Sequence, residues 1–137
     1  MDNWTIVTIV TIILWIGIIA WGIWELVQYF RRKNAATALE NDEFKQDMRK
    51  AQIVDVRGKD DFDAGHILGA RNIPYMQMKQ RAGELRKDQP IYLYDDKKTM
   101  SYRAALLLKK NGYDNLYVLK DGYEKWDGKI KRKKPIH

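Results

Sequence analysis

The hydrophobic pattern divides the chain into an apolar front and a polar remainder. Trp4 to Trp24 is a run of 21 residues without a charge. At about 1.5 Å per helical residue, this length crosses the roughly 30 Å hydrocarbon layer of a bilayer. Trp4 at one end and Trp21 with Trp24 at the other lie where indole rings favour the headgroup interface. The pattern therefore predicts a transmembrane helix over residues 4–24.

The rest of the pattern alternates short apolar strands with helices. Buried strands are predicted at Gln52–Val56, Pro90–Tyr94 and Leu116–Leu119. Helices are predicted at residues 41–49 with Asn41 as the cap, and at 60–64, 75–84 and 101–110. Such alternation favours a mainly parallel sheet covered on both faces. Ligands bind beyond the carboxyl ends of these strands, which singles out the polar loop that begins at Asp95.

Positive charge lies on one side of the apolar run. All 25 Lys and Arg follow Phe30, starting with Arg31, Arg32 and Lys33. The positive-inside rule then predicts a single-pass protein of the cell membrane, with its N-terminus outside and its C-terminal domain in the cytoplasm. A cleaved signal peptide would begin with basic residues and end in a small-residue cleavage site, and neither is present. The segment is therefore expected to stay attached.

The chain contains no cysteine. This excludes disulfides, thiolate metal sites, persulfides and a cysteine nucleophile. The two histidines, His66 and His137, are too far apart for metal-ligand spacing. No metal site and no cofactor are predicted.

A series of motifs runs through the polar remainder in order. The first half contains Asp55-Val56-Arg57, Asp61-Phe62 and Gly65-His66-Ile67-x-Gly69-Ala70-x-Asn72-Ile73-Pro74. The second half contains Ile91-Tyr92-Leu93-Tyr94, Ser101-x-x-Ala104-Ala105-x-x-Leu108, Gly112-Tyr113-x-Asn115-Leu116-Tyr117 and Gly122-x-x-x-Trp126. This set resembles the rhodanese-like (rhodanese-homology) domains over about residues 39–127. The resemblance implies an α/β, three-layer rhodanese-like domain with a mainly parallel central sheet, preceded here by one N-terminal transmembrane helix.

The resemblance fails at the loop that carries the family's chemistry. Active rhodaneses have a Cys-x-x-Gly-x-Arg-Ser loop, whose thiolate accepts a sulfane sulfur. When Ser101 is placed on the family serine, Asp95 falls at the cysteine, Lys98 at the glycine and Met100 at the arginine. A carboxylate cannot form a persulfide. The resemblance therefore implies a pseudo-sulfurtransferase with no catalytic residue and no small-molecule sulfur donor.

Two functions are compatible with this loop. The first is a binding module for an unidentified protein partner, in which the side chains from Asp95 to Met100 point outward. Its candidate binding loop consists of Asp95, Asp96, Lys97, Lys98, Thr99, Met100 and Ser101. The alternative is an enzyme of rhodanese-like ancestry that uses the Asp95 loop for phosphoryl or anion handling. An aspartate after a hydrophobic strand faintly resembles the nucleophile loop of haloacid-dehalogenase-like phosphatases, but no second acidic pair for a metal follows it.

Basic residues flank the domain on both sides. Contacts with the membrane or with anions are predicted for Arg31, Arg32, Lys33, Lys131, Arg132, Lys133 and Lys134. Each basic residue close to an anionic bilayer contributes about 1 kcal/mol, so the lipid bilayer is the expected partner and nucleic acid is not. A solubilising tail is the simpler explanation of the C-terminal cluster. The predicted division is a transmembrane helix at 4–24, a basic juxtamembrane linker at 25–38, a rhodanese-like domain at 39–128 and a basic tail at 129–137.

Overall fold

The computed structural model describes residues 2–133, in two compact units, Met1–Arg31 and Arg32–His137. The first unit is occupied by helix α1, which covers Asn3–Asn34. Its segment Asn3–Arg31 is long and apolar enough to cross a membrane, and its large apolar side chains are exposed. The helix continues ten residues beyond the predicted end at Trp24, because Leu26, Val27 and later apolar residues prolong the pattern past the single charge of Glu25.

The second unit is built on a parallel sheet of five strands in the order β1-β6-β5-β2-β4. These strands are β1 (Thr37–Leu39), β2 (Gln52–Asp55), β4 (Arg71–Asn72), β5 (Ile91–Tyr94) and β6 (Leu116–Leu119). A separate antiparallel pair is formed by β3 (His66–Ile67) and β7 (Ile130–Lys131). The mainly parallel sheet predicted from the sequence is confirmed.

Helices cover both faces of the sheet. They are α2 (Asn41–Asp47), α3 (Lys59–Ala64), α4 (Met78–Arg81) and α5 (Thr99–Lys110), with short 3-10 turns between the elements. One buried cluster joins Val54, Leu93 and Val118 to Met78 of α4 and Leu108 of α5. Neighbouring strand residues point the other way, so a second cluster joins Ile53, Tyr92 and Leu119 to Phe44 of α2. The three-layer arrangement follows from this alternation.

The register of the strands aligns their carboxyl ends. Asp55 at the end of β2 lies opposite Tyr94 at the end of β5, and on its other side opposite Asn72 of β4. The residues that follow β2 and β5, including Arg57 and Asp95, therefore meet at one edge of the sheet.

The structure corrects two local predictions. Asn41 is not a helix cap: Glu40 takes that position, its backbone N–H donates to Oε1 of Glu43 at 3.3 Å, and the Asn41 amide donates to the Lys125 carbonyl at 2.7 Å. The predicted helix 75–84 is broken into 3-10 turns at its two ends with only α4 between them. Gly83 lies in this segment, and glycine disfavours a regular helix.

Two predicted boundaries differ from the observed elements. The predicted linker 25–38 contains the end of α1 and the start of β1. The predicted tail 129–137 contains β7, which pairs with β3. Residues 134–137 of that tail, including Lys134, lie outside the described residues.

Candidate functional site

The Asp95 side chain is turned into the domain, where it caps helix α5. Asp95 follows β5 directly and is only 6% exposed. Its Oδ1 accepts a hydrogen bond of 2.5 Å from the Ser101 hydroxyl, and its Oδ2 accepts one of 3.2 Å from the Met100 backbone N–H. Both donors belong to the first turn of α5. The carboxylate therefore satisfies donors at the positive end of that helix.

The seven loop residues separate into an inner and an outer group. Asp95 and Ser101 are buried, and Met100 packs partly against the core. The expectation that the side chains from Asp95 to Met100 point outward is therefore wrong for Asp95 and Met100. Asp96, Lys97, Lys98 and Thr99 are exposed and are the part of the loop available to a partner.

The loop backbone is fixed by a neighbouring turn at Gly122. The N–H of Tyr123 donates to the Asp95 carbonyl at 2.8 Å, and the N–H of Glu124 donates to the Asp96 carbonyl at 3.3 Å. Gly122 has a φ of 75°, and a Cβ placed on it would lie 2.1 Å from the Asp96 carbonyl oxygen. Only glycine fits this approach. Its Gly-x-x-x-Trp motif was visible in the sequence, but the contact with the Asp95 loop was not.

A buried ion pair lies beside the loop. Nη2 of Arg57 is 2.7 Å from Oδ2 of the fully buried Asp55 and donates to the Gly65 carbonyl at 2.6 Å. Nη1 of the same guanidinium is 3.2 Å from Oδ1 of Asp96, and the group lies 4.2 Å from the centroid of the Tyr123 ring. The nitrogens of the guanidinium therefore donate to acceptors that the structure describes, and one face of the group lies over the Tyr123 ring.

The guanidinium of Arg57 stays protonated and is paired with Asp55. Burial by itself would lower the pKa of this guanidinium, but the hydrogen bonds and charge of Asp55 raise the pKa above its usual value. Burial, followed by the charge of Asp55, likewise raises the pKa of the Tyr94 phenol above its usual range. Both groups keep their ordinary protonation state at neutral pH, so Arg57 stays charged and paired and Tyr94 stays neutral.

A shallow groove of about 310 Å³ opens in front of Asp95. It is lined by Val56, Arg57, Gly58, Asp61, Pro74, Tyr75, Met76, Asp95, Asp96 and Met100. Three of these residues are acidic, and the one basic residue, Arg57, is already paired. Met76 is 82% exposed at the rim. Acidic and apolar walls of this kind disfavour a small anion.

Other chemistry-bearing residues have structural roles here. Nδ1 of His66 lies 2.7 Å from the Phe62 carbonyl oxygen, and its ring stacks on the Phe62 ring with 3.7 Å between centroids. Trp126 packs edge-on against Phe44 at 5.4 Å. Within residues 2–133, no group of three or more His, Asp or Glu side chains is placed to hold a metal ion.

The predicted basic contacts are spread over several elements. Arg31, Arg32 and Lys33 belong to α1, Lys131 lies in β7, and Arg132 and Lys133 follow it. Lys131, Arg132 and Lys133 are exposed, and Nζ of Lys133 lies 3.9 Å from Oδ2 of Asp63. Their role in membrane or anion contact stays a prediction.

Comparisons with known proteins agree on one family. The family model described as Rhodanese-like domain matches residues 40–129. The chain is 48% identical over 115 residues to the uncharacterized protein YqhL of Bacillus subtilis, a match that covers 84% of this chain and 91% of that protein. It is 29% identical over 117 residues to the putative sulfur carrier protein YrkF of the same organism, covering 77% of this chain and 63% of YrkF.

Solved structures support the same fold. A crystal structure of a rhodanese-like domain protein from Staphylococcus aureus superposes with a TM-score of 0.65 at 24% identity, covering 72% of this chain and 99% of that chain. A solution structure of the rhodanese-like domain of an Anabaena protein gives a TM-score of 0.64 at 24% identity, covering 69% of this chain and 78% of that one. At this level of identity the likeness concerns the fold alone.

Proposed function

This chain belongs to the rhodanese-like domain family, and we propose that it is a catalytically inactive member that binds a protein partner at the cytoplasmic face of the membrane. The observation that supports this most directly is the Asp95 carboxylate. It stands at the position of the family cysteine and accepts hydrogen bonds from Ser101 and Met100 at the start of α5. The acid that replaces the nucleophile is thus part of the scaffold.

Sulfur transfer has neither a nucleophile nor an anion site here. A persulfide requires a thiolate, and the chain has no cysteine. The helix N-terminus that could stabilise an anionic group is already occupied by the protein's own carboxylate, which is the charge such a position favours. The similar protein YrkF is described as a putative sulfur carrier, but a carrier role of that kind would need a sulfur-accepting group that this chain lacks.

The geometry also argues against the alternative of an aspartyl phosphatase. A nucleophilic carboxylate must present a free oxygen to an incoming phosphate, usually beside a bound divalent cation. Both oxygens of Asp95 accept hydrogen bonds and the side chain is buried. The neighbouring Asp96 pairs with Arg57. The alternative therefore has less support than a binding role.

Membrane anchoring is the second part of the proposal. Helix α1 exposes apolar side chains over Asn3–Arg31. Exposure of this apolar surface to water is unfavourable, so we expect lipid to surround it. The basic residues Arg31, Arg32 and Lys33 follow the apolar run, so we place the N-terminus outside and the domain in the cytoplasm. The binding module would then act next to the inner surface of the membrane.

Site-specific cross-linking tests the binding role. A photo-reactive amino acid is placed at Lys98, in the exposed part of the loop, in the full chain in its native membranes. The matched control carries it at Lys50, which is also exposed but follows α2. We expect a discrete adduct from position 98 that is absent from position 50 and is reduced by Asp96→Ala with Lys97→Ala. Adducts that are identical at both positions, or absent from position 98, would contradict a binding site at this loop.

A further inference from the structure

A second groove lies between α4 and α5. It has a volume of about 510 Å³ and is lined by Tyr75, Lys79, Arg103, Leu106, Leu107, Lys110 and Asn111. Tyr75 also lines the groove in front of Asp95, so the two depressions are neighbours on the surface. Neither the family signature nor the Asp95 loop accounts for this second groove.

One face of α5 supplies most of the second groove. Arg103, Leu106, Leu107 and Lys110 are spaced by three and four residues, which places them on the same side of the helix. Leu106 and Leu107 are half-buried and pack against the core, as does Tyr75. These three side chains form an apolar floor with a cation at each end of the helical stripe.

The three cations of the second groove have no ion-pair partner among residues 2–133. The side chains of Lys79, Arg103 and Lys110 are exposed and make no hydrogen bond with any of these residues. None of the seven lining residues is acidic. By contrast, Arg81 on the same short helix pairs with Glu84 at 2.7 Å. The lining of the second groove therefore carries positive charge that no ion pair with a described residue offsets.

We infer that the second groove docks an acidic, amphipathic segment of a protein partner. Carboxylates of the segment would pair with Arg103, Lys110 and Lys79, while an aliphatic or aromatic side chain between them would cover Leu106 and Leu107. This inference rests on the proposed binding function and adds the chemical class of the partner and a second contact surface. Charge patches with a complementary apolar centre are the usual composition of such interfaces.

The shape of the second groove favours a peptide segment over other polyanions. The stripe from Arg103 to Lys110 extends about 10 Å along α5, which is two helical turns and matches a short helix laid beside it. A bilayer surface is flat and cannot enter a concave groove. A nucleic acid backbone would pair with the cations but would leave the leucine floor uncovered, because its binding is dominated by phosphate contacts.

Peptide binding to the full chain tests this inference. The protein is held in nanodiscs of neutral phosphatidylcholine, and the probe is a fluorescent helical peptide with Glu and Leu on one face. The comparison probes carry Gln for Glu, carry Ser for Leu, or are a single-stranded oligonucleotide of equal charge. We expect the Glu/Leu peptide to bind at least about tenfold more tightly than each of them, by fluorescence anisotropy.

Charge reversal at the second groove provides the matched variants. Lys79→Glu with Arg103→Glu and Lys110→Glu should weaken peptide binding by about tenfold or more, because three attractions become repulsions. The control is Lys50→Glu with Lys125→Glu and Arg49→Glu, three exposed cations outside the second groove with the same change in net charge. The control should stay within about twofold. If the groove variant does not fold, Arg103→Gln alone should still weaken binding measurably.

Three outcomes would overturn the inference. They are equal losses in the two triple variants, an oligonucleotide that binds as tightly as the peptide, and no binding of the Glu/Leu peptide. Each leaves the cross-linking result at position 98 unchanged, so failure of the second groove is distinguishable from failure of the proposed binding function.

Discussion

The Ser101 hydroxyl donates a 2.5 Å hydrogen bond to the Asp95 carboxylate, and both side chains are buried. Because a buried carboxylate is stable only when its oxygens are hydrogen-bonded, the second contact from the Met100 N–H completes the arrangement. The Asp95 carboxylate therefore caps the first turn of α5 from outside the helix, whose N-cap residue is Lys98.

The first prediction concerns this cap. Asp95→Ala should lower the free energy of unfolding by about 2 kcal/mol, because a cap is lost and the Ser101 hydroxyl loses its buried acceptor. Lys98→Ala, an exposed change in the same loop, should stay within about 0.5 kcal/mol. The measurement is urea unfolding of the full chain in a mild detergent. Equal stability of the two variants would show that the cap is not needed.

The second prediction concerns the ion pair of Arg57 and Asp55. Arg57→Ala leaves a buried carboxylate without its counter-charge, which costs about 3–5 kcal/mol. The matched control is Arg86→Ala, which removes an arginine from an ion pair with Asp88 that is exposed on both sides, and it should change stability by less than about 1 kcal/mol. The two variants are compared in the same unfolding experiment. A small effect of Arg57→Ala would mean that water reaches Asp55.

The third prediction concerns Gly122. Gly122→Ala should destabilise the domain by at least about 1–3 kcal/mol, since its φ is 75° and the new Cβ would collide with the Asp96 carbonyl oxygen. Gly83→Ala is the control, because no atom lies within 4 Å of the Cβ that it would add. Thermal melting should place the Gly122 variant well below the Gly83 variant. If both melt together, the Gly122 turn and the Asp95 loop are not rigidly coupled.

The fourth prediction concerns sulfur transfer. The unmodified chain should produce no thiocyanate from thiosulfate and cyanide above a buffer blank, since no residue can hold the sulfur. Asp95→Cys alone should give little, because Lys98 and Met100 replace the glycine and the arginine of the family loop. Adding Lys98→Gly and Met100→Arg to that variant should raise the rate above the single change. Robust turnover by the unmodified chain would overturn the proposal of an inactive member.

Three of the strands were predictable because burial on both faces demands a continuous apolar run, whereas the short strands β1, β3, β4 and β7 were not predicted. The strand Leu116–Leu119 has the predicted bounds, and the other two predicted core strands differ from the observed ones by a single residue at one end. Burial of both neighbouring faces leaves few other conformations for such short apolar segments. Tertiary contacts therefore change the predicted bounds of these three strands very little.

The orientation of Asp95 was not predictable in this way. In sequence it is one acid in a run of charged residues, and such runs are usually solvated. The Asp95 side chain turns inward because its carboxylate accepts hydrogen bonds from the Met100 N–H and the Ser101 hydroxyl. These donors follow Asp95 by five and six residues, so the contact depends on the path of the loop. The second groove is not predictable for a related reason, since Arg103 and Lys110 resemble solubilising charges until α4 is packed beside them.

The last prediction concerns the topology of the membrane segment. Because the chain has no cysteine, single cysteines report on position without a background signal. Asn3→Cys should react with an impermeant maleimide on intact cells, whereas Lys125→Cys should react only after lysis, since the cluster at residues 31–33 keeps the domain inside. Lys125 is exposed on the domain, so lack of reaction before lysis would report compartment and not burial.

A charge-swapped variant completes the topology test. Replacing the basic residues at 31–33 with Glu and adding three Lys before Trp4 reverses the charge difference across α1, so a fraction of the chains should insert with the domain outside. Labelling at position 125 on intact cells should then rise while labelling at position 3 falls. Reaction of Lys125→Cys on intact cells in the otherwise unmodified chain would place the domain outside and remove the cytoplasmic part of the proposal.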